Sequence, residues 1–200
     1  LFTGFLQVPR GAIFFDGVDM NDYSHESIRR SIALVSQEPF LFSRTIYDNV
    51  AFGGDSPDFS AVRAATDMAY FTAEVDRFPE GFQEVLGERG LTLSTGQRQR
   101  TTIARGIVDK HRILLLDDVL ASLDAKTGRG ILEEIREWGK DLTLLFISHN
   151  LAVAQQADRI LVIDQGQIIE EGTHDDLARR EGRYAQMHKH QRLMAELETL

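Results

Sequence analysis

Short apolar runs bounded by polar residues alternate along this chain with longer stretches of helical period. Ile32 to Val35 (IALV), Ile113 to Leu116 (ILLL) and Leu142 to Ile147 (LTLLFI) predict strands buried on both faces, as in parallel sheets. Ala12 to Phe15 followed by Asp16-Gly17 predicts a strand and turn, and Ile160 to Asp164 with Gln167 to Glu171 predicts a hairpin around Gln165-Gly166. Helical patterns cover Ser24 to Arg30, Ala61 to Tyr70 with Ser60 as N-cap, Ser94 to about Asp109, and Asp124 to about Trp138. Thr173-His174-Asp175-Asp176 is a capping-box variant that starts the terminal helices. From Thr45 to Arg89 the chain reads as helices without buried strands, a compositional shift inside an otherwise α/β pattern. Leu1 to Leu6 is an apolar helical pattern with no start signal before it, broken by Pro9 and Gly11.

Two hundred residues, 42% of them hydrophobic, can bury one substantial core, so one compact unit is the expectation. A net charge of −9 argues against a broad nucleic-acid surface, which needs a basic stripe to exchange for counterions. Zero cysteines exclude disulfides and thiolate metal sites, and they fit a cytoplasmic setting. No window approaches the roughly 18 apolar residues of a membrane span, so membrane association would come through a partner or another segment.

The chemistry concentrates between Leu93 and Asp124. Ser94-Thr95-Gly96-Gln97 opens the long helix with a hydroxyl at the N-cap and Gln three residues on, a capping box. The strand Ile113 to Leu116 then ends abruptly in Asp117 and Asp118. Adjacent carboxylates need a cation or water to tolerate each other, and the carboxyl edge of an open α/β sheet is where ligands bind. Ala121-Ser122-Leu123-Asp124 closes the stretch, with Asp124 placed to cap the following helix.

In this order and spacing the three signals resemble the ATP-binding cassette (ABC) family, in which LSGGQ, a Walker B strand ending in Asp-Glu, and a SALD loop follow one another. The segment Val35 to Val50 is similar to that family's Q-loop pattern VxQEPxLFxxTIxDNI, ISHNL around His149 to its ISHRL switch, and ADRILVIDQGQIIEEGTHDDL to its exporters. The resemblance spans essentially the whole chain. It implies a P-loop NTPase fold: a RecA-like α/β core (1–44 and 101–200) carrying a helical signature subdomain (45–100), with the N-terminal antiparallel sheet incomplete. It places Leu1 a few residues past the lysine of a phosphate-binding loop, and no GxxxxGK[ST] occurs within the 200 residues. With the hydrogen bonds of that loop absent, each worth roughly 1.5 to 3 kcal/mol, the expectation is that these residues alone bind ATP weakly.

The same resemblance implies the roles. Asp117 and Gln37 would hold Mg2+, Asp118 would polarise the attacking water, and His149 would contact the γ-phosphate of ATP. Ser94, Thr95, Gly96 and Gln97 would face a second nucleotide across a head-to-tail dimer of two ABC domains, with Asp124 beside them. Gly87 and Glu88, in the GERG loop before the signature, would couple to a transmembrane domain, which would hold the chain at the cytoplasmic face of the membrane. Phe40-Leu41-Phe42 stays open between lobe core and docking groove.

Three departures bear on activity. Asp118 stands where the family has Glu, Thr95 where it has a second glycine, and ASLD replaces SALD. Asp is one methylene shorter, roughly 1.5 Å of reach, and displacements near 1 Å cost about a hundredfold in rate. These changes favour a slowly hydrolysing site, and they keep a non-hydrolytic regulatory half of a heterodimer as the alternative. A soluble ABC ATPase of DNA maintenance is the other rival, though Gln37 to Ser94 holds neither cysteines nor sustained heptads.

Overall fold

The computed structural model describes residues 3–4, 7–87, 90 and 92–198. The apolar pattern of residues 1 to 6 therefore lies largely outside the described residues, and Glu88 lies outside them altogether. The chain divides into two compact units, Leu1–Ile147 and Ser148–Leu200.

In the first unit β1 (Phe14–Phe15) and β2 (Val18–Asp19) form an antiparallel pair. Asp16 and Gly17 both take positive φ, 49° and 80°, the backbone a two-residue hairpin requires. α1 (His25–Ser31), capped by Ser24, leads into β3 (Ile32–Val35). β3, β4 (Ile113–Asp117) and β5 (Thr143–Ile147) make a parallel sheet in that order, with Leu34, Leu115 and Leu145 in register. Leu114 and Leu116 are buried against the helices, which explains the wholly apolar run. The other face is only partly covered: Ile113 and Leu115 pack against Met20, Ile28 and Ile32, while Leu34 is 47% and Ile147 56% exposed, so β3 and β5 are not buried on both faces as the pattern predicted. Apolarity alone does not say whether a partner layer covers a face.

Between β3 and β4 the chain is helical: α2 (Ile46–Ala51), α3 (Phe59–Met68), α4 (Thr72–Val75) and α5 (Thr95–Ile107). Asp58, not Ser60, caps α3, because its Oδ1 accepts the Ala61 N–H at 2.9 Å while the Ser60 hydroxyl donates to the same oxygen. α6 (Ala125–Trp138) starts at Asp124, whose Oδ1 accepts the N–H groups of Lys126 and Thr127.

The second unit holds α7 (Leu151–Ala154), the antiparallel hairpin β6 (Ile160–Asp164) and β7 (Gln167–Gly172), α8 (His174–Arg179) and α9 (Arg183–Glu198). Gln165 and Gly166 have φ 48° and 77°, repeating the first hairpin's turn. Leu151, Ile160, Leu177 and Tyr184 form its core.

Candidate functional site

The parallel sheet sets the site because adjacent strands end side by side. β3 runs out into Ser36-Gln37, and β4 delivers Asp117 as its last residue and Asp118 just beyond. Asp118 turns the chain sharply: its φ is 49°, and its N–H donates to the carbonyl of Ile147 at 3.0 Å, extending the β4–β5 ladder by one bond. Asp tolerates this left-handed backbone better than most residues.

Gln37 and Asp118 lie 81 positions apart in the sequence and meet here, Gln37 Nε2 donating to Asp118 Oδ2 at 3.4 Å. The other carboxylate oxygen, Oδ1, is buried and has no hydrogen-bond partner among the described residues. An orphaned buried carboxylate oxygen is costly unless a water, cation or incoming ligand completes it. A cavity of about 780 Å3 in the first unit opens instead toward the amino ends of β3, β4 and β5, beside Phe14, His111 and Trp138, and has no part in this edge.

The signature turn is built as a capping box. Ser94 Oγ accepts the Gln97 N–H at 3.2 Å, and Gln97 Oε1 accepts the Ser94 N–H at 2.8 Å. Gln97 Nε2 then donates to Glu74 Oε2 at 2.7 Å, and Glu74 Oε1 pairs with Arg100 at 2.6 Å. The Gln97 side chain is thus fully engaged inside the lobe. Thr95 is exposed, its Oγ1 accepting from Arg98 Nη2 at 3.2 Å, so its hydroxyl is drawn back along the helix. Gly96 lies against the Ser122-Leu123 loop, which brings the signature beside the segment that ends at Asp124. Asp124 is exposed and holds its carboxyl below the usual carboxylate range, chiefly through hydrogen bonds from Thr127 and Lys126.

His149 belongs to the second unit. Its side chain is exposed, and its carbonyl accepts from Gln191 Nε2 at 2.7 Å. Gly87 is half-buried. Leu41 is buried, whereas Phe40 is 55% exposed and stacks edge-on against Phe42.

Several residues of this architecture had no role assigned from the sequence, Asn49 being only a letter of the Q-loop pattern and Arg105 standing outside the motifs. Asn49 is completely buried, and Arg105 donates to its carbonyl (2.7 Å), to its Oδ1 (3.0 Å) and to the carbonyl of Phe40 (2.8 Å). Burial pushes the Arg105 guanidinium down to about 10. Glu74 and Gln191 were likewise silent, because a single polar residue on a helix shows nothing of its distant partner.

The sequence profile of the ABC transporter family matches residues 1–121. The chain belongs to the ABC transporter family. It is 42% identical over 190 residues to the ATP-dependent lipid A-core flippase of Idiomarina loihiensis, covering 94% of this chain and 32% of the flippase. The flippase of the same description from Vibrio cholerae is 41% identical, with 94% and 33% covered. Among solved structures, a bacterial Atm1-family ABC exporter with ATP bound superposes with a TM-score of 0.85 at 39% identity, covering 88% of this chain and 31% of that one. The ABC ATPase fold expected from the motifs is therefore the fold observed. The chain spans about a third of the length of the curated relatives it matches. Among the described residues no helix is long and apolar enough to cross a membrane.

Proposed function

We propose that this chain is the ATP-hydrolysing domain of an ABC exporter, working as one of two domains that close head to tail over two ATP molecules. The observation that carries the reading is the Gln37–Asp118 pair at the sheet's carboxyl edge, with one buried carboxylate oxygen left without a partner.

Asp118 would accept the proton of a water whose oxygen attacks the γ-phosphorus as the bond to the bridging oxygen breaks. Asp117 and Gln37 would hold Mg2+, which supplies charge neutralisation at the phosphates. His149 would hold a γ-phosphate oxygen. Ser94 and the amides at the start of α5 would meet the nucleotide of the opposing domain, because free amides at a helix N-terminus attract phosphate oxygens. Asp124 would stand at the same junction. The division into a core (1–44 and 101–200) and a lobe (45–100) is part of this reading, as is coupling through Gly87 and Glu88 to a transmembrane domain that holds the chain at the cytoplasmic face. The exposed ring of Phe40 supports a docking surface where the core leads into the lobe.

A second reading is favoured by one residue. If Asp118 is too short to reach the water, the domain is a nucleotide-binding regulatory half. Steady-state ATPase of the complete protein separates the two. Asp118→Glu should raise turnover severalfold, and Asp118→Asn should abolish what remains. Wild-type turnover that Asp118→Asn abolishes supports the hydrolytic reading; a wild-type protein without turnover that Asp118→Glu makes active supports the regulatory one, and no gain from Asp118→Glu removes the length of Asp118 as its ground.

A further inference from the structure

α9 closes the chain with mixed charge and no motif, yet it is anchored with care. The Glu170 carboxylate accepts the N–H groups of Arg183 and Tyr184, which seats the first turn of the helix on β7. Tyr184 is 1% exposed in the core with Leu151, Ile160 and Leu177, and Met187 packs beside it. Gln191 follows at the helical spacing that continues this face.

The Gln191 amide straddles Asn150, the residue after His149. Its Nε2 donates to the His149 carbonyl at 2.7 Å, and its Oε1 accepts the Leu151 N–H at 3.0 Å. The flanking polar groups are fixed locally: Ser148 Oγ accepts the Asn150 N–H at 3.0 Å, and Asn150 Oδ1 accepts the Ala152 N–H at 2.9 Å. What remains, the two peptide groups that flank Asn150, the first of them carrying the His149 carbonyl, is held from α9. The imidazole and one side of α9, including Arg183, Met187 and Gln191, line a common cavity of about 500 Å3.

We infer that Gln191 is a positioning residue for His149, a two-point clamp through which the C-terminal helix sets the direction of the imidazole. This rests on the γ-phosphate role proposed above for His149. Gln191 would act through the backbone at 149 and 151. The Leu151 amide, in the first turn of α7, has no earlier carbonyl within its own helix to bond, so its protection reports the clamp directly.

The test uses the complete protein with Gln191→Met, which keeps the side-chain length and removes both bonds, and Gln191→Glu, which keeps the acceptor for Leu151 and removes the donor to His149. Hydrogen exchange at the Leu151 amide should quicken about five- to tenfold in Gln191→Met, the loss of one ordinary hydrogen bond, and stay slow in Gln191→Glu. In both variants kcat should fall about tenfold or more at unchanged KM, because the binding contacts remain and only the geometry around the γ-phosphate loosens. A merely structural glutamine would leave kcat in line with wild type at equal helix content, and that result overturns the inference. Unchanged Leu151 exchange in Gln191→Met would also overturn it, by showing that the clamp does not form. A wild-type protein that hydrolyses no ATP refutes the hydrolytic reading itself, and the exchange measurement still decides separately whether the clamp exists.

Discussion

Asn49 joins two parts of the first unit that the sequence separates widely, and its replacement by leucine tests the account of how the lobe is held. The side chain is fully buried; Oδ1 accepts from the Phe42 N–H at 2.8 Å and from Arg105 Nη2 at 3.0 Å. Nδ2 donates to the carbonyls of Phe42 and Thr45 at 3.0 and 2.9 Å. Leucine has the same branching with bulkier methyl groups in place of the amide oxygen and nitrogen, so no cavity forms and the loss is chiefly polar, with some overpacking. A neutral hydrogen bond contributes about 1 kcal/mol net, one to a charged group about 1.5 to 3, and each buried group left unpaired costs about 1 to 3. The Phe42 amide and one arm of Arg105 would be left so. Shared partners make the terms less than additive, and about 3 to 5 kcal/mol is expected overall. For a chain of this size that is a fall in melting temperature on the order of 10 °C. The single tryptophan, Trp138, sits at the end of α6 in the same unit, so its fluorescence during urea unfolding reads the transition there. Asn49→Asp keeps the acceptor toward Arg105 and should cost less. A loss below about 1 kcal/mol for Asn49→Leu would refute the network as a structural tie.

Three further expectations follow from other parts of the structure. Ser94→Ala removes one half of the capping box and should lower stability by about 1 kcal/mol; if the signature faces a second nucleotide, ATP-dependent pairing measured by light scattering should weaken as well, and intact pairing would count against that role. Gly53→Ala places a methyl group inside the van der Waals envelope of the Arg105 carbonyl, and the required backbone shift should cost about 1 to 3 kcal/mol in the same Trp138 assay. His188 is held below the ordinary histidine value, first by partial burial and then by the neighbouring His174 and Arg192. Its neutral form is favoured in the fold, so its contribution is present above the unfolded value near 6.5 and is lost as pH falls through the lowered folded value. Protection factors across 183–198, which correct exchange for its intrinsic pH dependence, should therefore fall on going from about pH 7.5 to 5, and His188→Gln should flatten that dependence; an equal slope in both proteins would exclude His188 as the cause.

Local chemistry was the most legible part of the sequence. The Ser94 capping box, the Asp124 cap and both hairpin turns follow from side chains and backbones a few residues apart, and each was placed correctly from the order of residues. The α3 cap was misplaced by two positions because Asp58 and Ser60 are both competent and only geometry selects between them. The open face at Leu34 and Leu145 was not legible, since an apolar residue reads the same whether a layer covers it or not. Long-range polar pairs were invisible for a similar reason. Nothing in Gln37 names Asp118, nothing in Gln97 names Glu74, and only the strand order and helix packing bring them together. Resemblance to a family supplied Gln37 and Asp118 as candidates, whereas Glu74 and Gln191 had no such pointer.

The left-handed backbone at Asp118 also limits how this position can change over generations. Aspartate, asparagine and glycine adopt that conformation with least strain, while a longer side chain pays of the order of 1 to 2 kcal/mol for it. One replacement that leaves the turn at ease, asparagine, would delete the proton acceptor proposed above; the one that lengthens its reach, glutamate, would have to bear or relieve the strain of the turn. On that reading, neutral drift at this residue would run toward silence more readily than toward speed.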